Sequence, residues 1–430
     1  MTKFQIIFIA LFILFIIGGI TAFALYKGPD AENKLPQVTV WGTLSVKTFN
    51  DYLNSLKADQ ENALDIAYTE VSVDAFDNKF IQALARGEGP DMVLLPAEMT
   101  LKHEDKFVSV PYDTLSARSY KDTFIEAAEL YLGADGIIGF PFIIDPLVSY
   151  WNRDTFRSAS IAKPPATWAD YDALIPKLTK KDLASNIQKS AIALGEYRNL
   201  DNAREILSTL FFQVGNPITV RTTEGVVSTL GQSGKPGLED SAPAVEFFVN
   251  FANPISQDYS WNRSLPSSKA FFLSGKLATY FGFASEIRDI QAKNPNLNFD
   301  VIPFPQRATS ELKSTYGRLY GFSIVNQSLN TDAAYQVILK LLTPESLAAL
   351  SDVTYLPPVR RDMLAEGTSD PFMTIFYDSA IISQSWLDPD VASSDSLFQE
   401  IIESVTSGRL LPREALRRTQ GQLEILLNVN

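Results

Sequence analysis

The segment from Gln37 to Leu95 alternates short apolar strands with amphipathic helices, and this alternation limits the possible folds more than any other feature of the sequence. Strands are predicted at Gln37–Trp41, Leu64–Val71 and Met92–Leu95, and helices at Val46–Lys57 and from the N-cap Ser72 to the closing glycines Gly87 and Gly89. Consecutive strands that are separated by helices pair in parallel through right-handed crossovers. The sequence therefore predicts an α/β unit here.

The rest of the chain mixes helices with a few strands. A helix is predicted after Pro164, because Thr167 is a favoured N-cap and Asp170 follows it three residues later. The other predicted helices are Asp201–Val214, Ala242–Ala252, Thr331–Leu342 and two between Ser396 and Val429 that break at Ser407 and Gly408; the other strands are Leu277–Phe281, Phe299–Ile302 and Gly321–Val325. Glycine, serine and threonine dominate residues 222–235, which indicates an exposed loop.

One carboxylate, Asp145, stands inside the apolar run from Ile137 to Val148. Such a run, stiffened by two prolines, is typical of a buried strand that crosses between two halves of a protein. A buried charge is costly unless it is paired or faces a ligand. We therefore expect Asp145 to face a ligand in a cleft, and pairing with Arg153 or Arg318 is the structural alternative.

Composition excludes several classes of function. The net charge of −13 disfavours nucleic acid and anionic lipid surfaces as partners. The chain has no cysteine and a single histidine, His103, which excludes disulfides, thiolate zinc sites and histidine metal clusters. A Ser-His-Asp triad would need His103, but its polar surroundings predict a solvated loop. We expect no metal site and no cofactor.

The N-terminal segment Phe4–Tyr26 is apolar and lies between Lys3 and Lys27. About 20 apolar residues suffice to cross a hydrocarbon core of about 30 Å. Residues 1–27 are therefore predicted to form a single transmembrane anchor, with a signal peptide cleaved after Ala24 as the alternative. A short linker over residues 28–36 follows. Either reading places the body on the extracytoplasmic side, held at the cell membrane by residues 4–26 or secreted after cleavage.

Several motifs stand in the order seen in one protein family. They are Phe80–Leu95, Gly139–Phe156, Pro164–Tyr171, Ala270–Gly282, Leu341–Leu350, Leu356–Asp362 and Ile402–Leu416. Each motif alone is weak, but together they span nearly the whole body. On these residues the chain resembles the family 1 extracellular solute-binding proteins of ABC transporters, the maltose-binding-protein-like group.

The resemblance implies a class II periplasmic-binding-protein-like fold, an α/β Venus flytrap of two lobes preceded by the transmembrane helix. The lobes are expected at residues 37–143 with 293–345 and at residues 144–292 with 346–430. A polar solute, most often an oligosaccharide in this family, would bind between the lobes and pass to the transmembrane subunits of an ABC permease. The protein would be a monomer and not an enzyme.

The resemblance and the residue pattern together name nine candidate ligand-binding residues. Asp145 and Glu98 take the places of acidic cleft residues, and Trp41 and Thr43 follow the first strand. Sugars offer flat C–H faces and paired hydroxyls, so aromatic platforms are expected beside such carboxylates. The aromatic candidates are Tyr280, Phe281, Phe283, Tyr320 and Trp151. No tryptophan occupies the place of the family's stacking tryptophan near Tyr280.

Two alternatives remain open at this point. The body could be a membrane-anchored ectodomain that senses a ligand, in which case it would act through a partner protein. It could also be a surface glycoside hydrolase, which would need two carboxylates about 5–10 Å apart. Glu98 and Asp145 could supply that pair.

Overall fold

The structure is a computed structural model, and it describes residues 36–56, 64–232, 240–308 and 312–429. The strands are β1 (Val38–Gly42), β2 (Ile66–Glu70), β3 (Met92–Pro96), β4 (Val110–Pro111), β5 (Gly136–Ile137), β6 (Phe140–Asn152), β7 (Lys180–Lys181), β8 (Ile187–Ile192), β9 (Thr219–Thr222), β10 (Gly225–Ser228), β11 (Leu277–Phe283), β12 (Phe299–Pro303), β13 (Thr315–Ile324) and β14 (Ser383–Gln384). The α-helices are α1 (Val46–Leu56), α2 (Val73–Arg86), α3 (Ala117–Thr123), α4 (Arg153–Ser158), α5 (Trp168–Leu178), α6 (Ala203–Gln213), α7 (Ala242–Asn250), α8 (Ser268–Leu273), α9 (Ile287–Lys293), α10 (Thr331–Leu341), α11 (Pro344–Thr354), α12 (Arg361–Glu366), α13 (Pro371–Ile381), α14 (Val391–Thr406) and α15 (Pro412–Val429).

The predicted α/β unit is confirmed. β1 pairs in parallel with β2 on one side and with β3 on the other. The apolar stripe of α2, formed by Phe76, Phe80 and Leu84, is buried in a small second core that also contains Val93 and Leu95 of β3. The helix ends at Gly87, whose φ of +69° is the left-handed conformation typical of a glycine C-cap.

A single mixed sheet joins the two halves of the molecule. Its strand order is β2-β1-β3-β13-β6-β11-β8-β7, with β12 added to β6 and β14 added to β13. β1, β2 and β3 lie at one end and β11, β8 and β7 at the other, so β13 and β6 form the connection. The main hydrophobic core continues along this sheet from Val38 to Leu423.

β6 is the crossing strand, and it extends further than the sequence suggested. The prediction ran from Ile137 to Val148, whereas the strand runs from Phe140 to Asn152. Its first part pairs with β13 as far as Pro146, and from Leu147 onward it pairs with β11. Both prolines lie inside the strand, Pro146 at this change of partners and Pro141 beside the register shift in β13. Irregular pairing tolerates a residue without an N–H.

The later elements follow the prediction with one clear exception. The helix after Thr167 begins at Trp168 and has the predicted capping box, in which the Asp170 carboxylate accepts the Thr167 N–H. Residues 222–235 were expected to be an exposed loop, but Gly225–Ser228 pairs antiparallel with Thr219–Thr222 as a hairpin. Gly225, with a φ of +127°, allows the tight turn that polar composition alone did not reveal.

The predicted anchor Phe4–Tyr26 and most of the linker lie outside the residues that the structure describes. Within the described part of the chain, none of the helices combines the length and the apolar character that crossing a membrane requires.

Candidate ligand-binding cleft

A cavity of about 680 Å³ lies at the carboxyl end of β3. Ligands in open α/β sheets bind outside the carboxyl ends of the strands, so this is the expected place for a site. The first wall comprises lining residues of the α2 N-terminus, the turns after β3, and β13; the second wall comprises lining residues of α6 and residues 389–395. The lining residues are Val73, Asp74, Asp77, Pro96, Glu98, Met99, Lys102, Arg204, Glu205, Arg318, Tyr320, Pro389, Asp390, Val391, Ala392 and Asp395.

The centre of the cleft is a buried ionic cluster around Arg204 of α6. Arg204 is 5% exposed and donates hydrogen bonds to carboxylates of Asp388 at 3.0 Å, Glu98 at 3.2 Å and Glu205 at 3.4 Å. The Tyr316 hydroxyl donates to Glu98 at 2.7 Å. We call these five residues the Arg204 cluster. It joins the first wall, through Glu98, to the second.

Glu98 stays ionised in this cluster. Burial alone would raise the pKa of its carboxyl, but the nearby charges of Arg204 and Arg318 and the hydrogen bond from Tyr316 lower that pKa below its ordinary value. Arg318 lies over the ring of Phe283, 4.0 Å from the ring centroid, and 3.8 Å from the Glu205 carboxylate. The two guanidinium groups therefore favour the charged form of Glu98.

A second link crosses the cleft near its edge. The Lys102 ammonium lies 2.6 Å from the Asp77 carboxylate on the first wall and 2.7 Å from Asp390 on the second. We call these three residues the Lys102 bridge. About a third of the Lys102 side chain is exposed, so this link is far more hydrated than the Arg204 cluster.

His103 does not lie in a solvated loop, contrary to the prediction. It is 2% exposed and belongs to a 3₁₀ turn, Leu101–Lys106, where its Nε2 is 2.8 Å from the Asp77 carboxylate. Its ring also packs against Phe76 and Phe80. The polar neighbours in the sequence concealed a side chain that turns inward against α2.

Of the nine predicted site residues, Glu98 and Tyr320 line the cavity. Asp145 is outside the lining: it is 4% exposed, accepts a hydrogen bond from the Ser285 N–H at 3.0 Å and pairs in register with Arg318. Burial raises the pKa of Asp145 to about 6, although Arg318 opposes the rise. Arg318, which the sequence named as a possible structural partner, is thus the cross-strand neighbour of Asp145 and itself lines the cavity.

The three aromatic candidates on β11 lie in the core. Both faces of this strand are covered, so every one of its side chains is buried. The Tyr280 hydroxyl donates to Glu286 at 2.8 Å, Phe281 packs against Trp168, and Phe283 lies beneath Arg318. Only Phe283 therefore contacts a residue of the cavity lining.

The remaining candidates are not among the residues that line the cavity. Trp41 is half-buried and packs against the small second core, and the Thr43 hydroxyl is buried with no hydrogen-bond partner among the described residues. Trp151 lines a separate surface pocket of about 420 Å³ with Arg153 and Arg157. Where these side chains lie depends on which face of each strand is buried. The alternation of apolar residues in the sequence could not identify which face meets the cleft.

Sequence reasoning missed Arg204, Lys102 and Asp390. A signal for Arg204 existed, because Arg204 and Glu205 are adjacent charges at the start of an otherwise uncharged helix. The same logic that singled out Asp145 would have singled them out. Among the described residues, no group of histidine, aspartate and glutamate side chains is arranged to hold a metal ion.

The fold of this chain is similar to the folds of solved sugar-binding proteins. The cyclic alpha-maltosyl-1,6-maltose binding protein of Arthrobacter globiformis is 16% identical, with a TM-score of 0.73 over 92% of this chain and 100% of that chain. A cyclo/maltodextrin-binding protein solved with maltotetraose is 17% identical, with a TM-score of 0.71 over 91% of this chain and 98% of that chain. These likenesses confirm the predicted two-lobed periplasmic-binding-protein-like fold.

Sequence comparison points the same way. A candidate binding protein from Brucella abortus (strain 2308) is 20% identical over 326 residues, which cover 75% of this chain and 75% of that protein. The family model of the bacterial extracellular solute-binding proteins matches residues 47–374, well over half of the chain. On these findings, the chain belongs to the bacterial extracellular solute-binding proteins.

Proposed function

We propose that this protein captures an oligosaccharide in the cleft and delivers it to an ABC permease on the extracytoplasmic side of the membrane. The family supports the capture of a solute outside the cytoplasm. The two solved relatives support the choice of solute, since one is named for a cyclic maltosyl-maltose and the other was solved with maltotetraose. The permease partner rests on the resemblance to the binding proteins of ABC transporters.

The observation that carries this proposal is that hydrogen-bonding groups from both walls face one cavity. Glu98 and Arg318 come from the first wall and Glu205 comes from the second. Carboxylates accept O–H donors, and a guanidinium donates to hydroxyl oxygens, so adjacent sugar hydroxyls would find partners on both sides. The half-buried ring of Tyr320 offers a surface for a sugar C–H face.

Closure of the two lobes is the proposed mechanism. A solute that touches both walls makes more contacts when the walls are close, so it shifts the population toward the closed arrangement. We place the lobes at residues 37–143 with 293–345 and residues 144–292 with 346–430, joined by β6 and β13. Residues 1–27 would tether a monomeric body to the membrane.

Hydrolysis is disfavoured by the same geometry. A retaining or inverting glycosidase needs two carboxyl groups that both reach the scissile bond, one of them protonated. Glu98 lines the cavity, whereas Asp145 is outside its lining and pairs in register with Arg318. This placement does not support the use of the two carboxyl groups as a catalytic pair.

The test is thermal unfolding of the full-length protein with a panel of oligosaccharides of different linkage. A bound sugar at 100 times its dissociation constant adds about 2.7 kcal/mol to the free energy of unfolding. We expect at least one sugar to stabilise the protein, and Glu98→Gln to weaken that sugar's affinity at least tenfold because it removes a charged acceptor from the first wall.

Glu88→Gln is the matched control, since Glu88 is exposed and pairs with Arg86 at 2.9 Å outside the cavity. It should bind the sugar as the unmodified protein does. The proposal fails if no sugar stabilises the protein, or if Glu98→Gln and Glu88→Gln bind the sugar equally well.

A further inference from the structure

The charges that line the cleft do not balance. Among the described lining residues there are more carboxylates than cations. The carboxylates are Asp74, Asp77, Glu98, Glu205, Asp390 and Asp395, and the cations are Lys102, Arg204 and Arg318. The cavity therefore carries a formal excess of negative charge before any ligand enters.

None of the three cations is free to receive an anionic ligand. Lys102 is shared between Asp77 and Asp390, and Arg204 is shared among three carboxylates. Arg318 lies over Phe283 and faces Glu205 at 3.8 Å. An anionic solute would have to break these pairs, so the cleft selects against it.

Two carboxylates, in contrast, remain available, one on each wall. Asp74 lies in the first turn of α2, is exposed and forms no ion pair with any other described residue. Asp395 is exposed on α14 and accepts a hydrogen bond from a neutral donor, the Tyr197 hydroxyl, at 2.5 Å. Both carboxylates can accept a charged donor without giving up an ion pair.

A further, buried carboxyl group contacts the lining through Arg204. Asp388 is 1% exposed, and burial raises the pKa of its carboxyl to about 7 although Arg204 is 3.0 Å away. Glu98 contributes to this rise because the two carboxylates share one guanidinium. Adding a cation to the cavity would relieve this repulsion, whereas a neutral solute would leave it in place.

Aromatic surface is scarce in the same lining. Tyr320 is the sole aromatic residue among the described residues that line the cavity. Stacking on C–H faces can therefore supply only part of the binding free energy of a sugar, and charged donors on the solute would have to supply more.

We propose that the solute is an oligosaccharide that carries protonated amino groups, that is, one built with unacetylated amino sugars. This inference rests on the proposed function and narrows it. An ammonium has three donors and no acceptor, which suits carboxylates that face it from two walls. Asp74 and Asp395 are the residues assigned to recognise the amines.

Three tetrasaccharides with the same β-1,4 backbone test the inference, together with a panel of neutral oligosaccharides of other linkages. The three are cellotetraose, with a 2-hydroxyl, its 2-amino counterpart built of glucosamine, and the N-acetylated form of that compound. Calorimetry with the full-length protein should give a dissociation constant at least tenfold lower for the amine than for either neutral form. Raising the salt from about 0.05 M to about 0.5 M should shrink that ratio, because mobile ions screen charge pairs at an open cleft.

The double variant Asp74→Asn/Asp395→Asn should lose the preference for the amine, so that its dissociation constants for the amine and for the two neutral forms lie within about twofold of one another. The matched control is Asp113→Asn/Asp378→Asn, which removes two exposed carboxylates outside the cavity and should keep the preference.

The outcomes separate the two proposals. If a neutral sugar of any linkage binds as tightly as the amine, the inference is overturned and the proposed function stands. If neither the amine nor any neutral sugar binds, both are overturned. If both double variants lose the preference equally, the amine responds to overall charge and the assignment of Asp74 and Asp395 is overturned.

Discussion

The Arg204 cluster and the Lys102 bridge both join the two walls of the cleft, yet the pKa of Asp388 in the cluster and that of Asp390 in the bridge shift in opposite directions. Asp388 and Asp390 are two residues apart. Burial raises the pKa of Asp388 to about 7. For Asp390, burial also acts to raise the pKa, but hydrogen bonds from Lys102 and from the Ser393 N–H outweigh it and lower the pKa to about 2. The pKa values of Asp388 and Asp390 differ more because of their hydration than because of the presence of a cationic partner.

The partners explain the rest of the difference. Arg204 divides its charge among three carboxylates, and Asp388, the most deeply buried of them, keeps a raised pKa. Asp390 shares Lys102 with Asp77 alone and also caps the N-terminus of α14, where backbone N–H groups favour an anion. The Arg204 cluster is therefore costly to bury, and the loss of the Arg204 charge should destabilise the protein. The Lys102 bridge should contribute only modestly to stability.

The largest expected effect is that of Arg204→Met. Removing one partner of a buried ionic group costs about 3–5 kcal/mol, and Arg204→Met would leave Asp388 buried without the cation that faces it. Urea unfolding should show this loss in the free energy of unfolding. Arg198→Met is the control, since the Arg198–Glu403 pair is exposed and should contribute less than about 1 kcal/mol. Equal losses in the two variants would show that burial does not distinguish these pairs.

The second effect is a pH dependence that comes from Asp388. Its pKa is about 7 in the folded protein and about 3.9 in an unfolded chain, so the folded state binds the extra proton between these values. Asp388 therefore lowers the free energy of unfolding as pH rises from about 4 to about 7, by at most about 1.4 kcal/mol per pH unit.

Asp388→Asn should remove that slope. The measurement is urea unfolding at several pH values, and the difference between the unmodified protein and the variant isolates this one group. Asp378→Asn, at an exposed position, should leave the slope unchanged. The raised pKa is refuted if the Asp388→Asn protein and the unmodified protein follow parallel curves between pH 4 and pH 7.

The smallest expected effect is that of Lys102→Met. Half-exposed ion pairs contribute little, so we expect a loss of about 1 kcal/mol or less in the free energy of unfolding. The loss should decrease further in 1 M salt, where charges are screened within about 3 Å. Lys47→Met, which breaks an exposed pair on α1, is the control for general loss of a lysine. If Lys102→Met lowers the free energy of unfolding as much as Arg204→Met does, the Lys102 bridge and the Arg204 cluster do not differ in their contribution to stability.

Local patterns in the sequence predicted most of the fold. The strand and helix alternation of residues 37–95, the capping box at Thr167 and the break at Gly408 each depend on neighbours within a few residues. The hairpin at Thr219–Ser228 was missed because a strand pair of four residues on each side has no strong apolar period. The lobe ranges and the ligand contact of Asp145 remain predictions.

The site was harder to predict because its members are distant in sequence. Arg204 meets Glu98 across 106 residues and Asp388 across 184. Glu98 was found because the resemblance to the solute-binding proteins implied an acidic cleft residue at that place, after the third strand. The aromatic residues of β11 were placed in the core because helices and strands cover both faces of that strand, which a single strand pattern does not reveal.

The position of β13 in the sheet bears on how the chain is made. β3 gains its neighbour on that side only when residues 315–324 are available, more than 200 residues later. Until then the growing polypeptide presents an open edge of buried, apolar Met92–Pro96, a surface on which chains aggregate. Such distant strand pairing also slows folding. We therefore expect the nascent chain to need chaperones until the last third of its sequence has been synthesised.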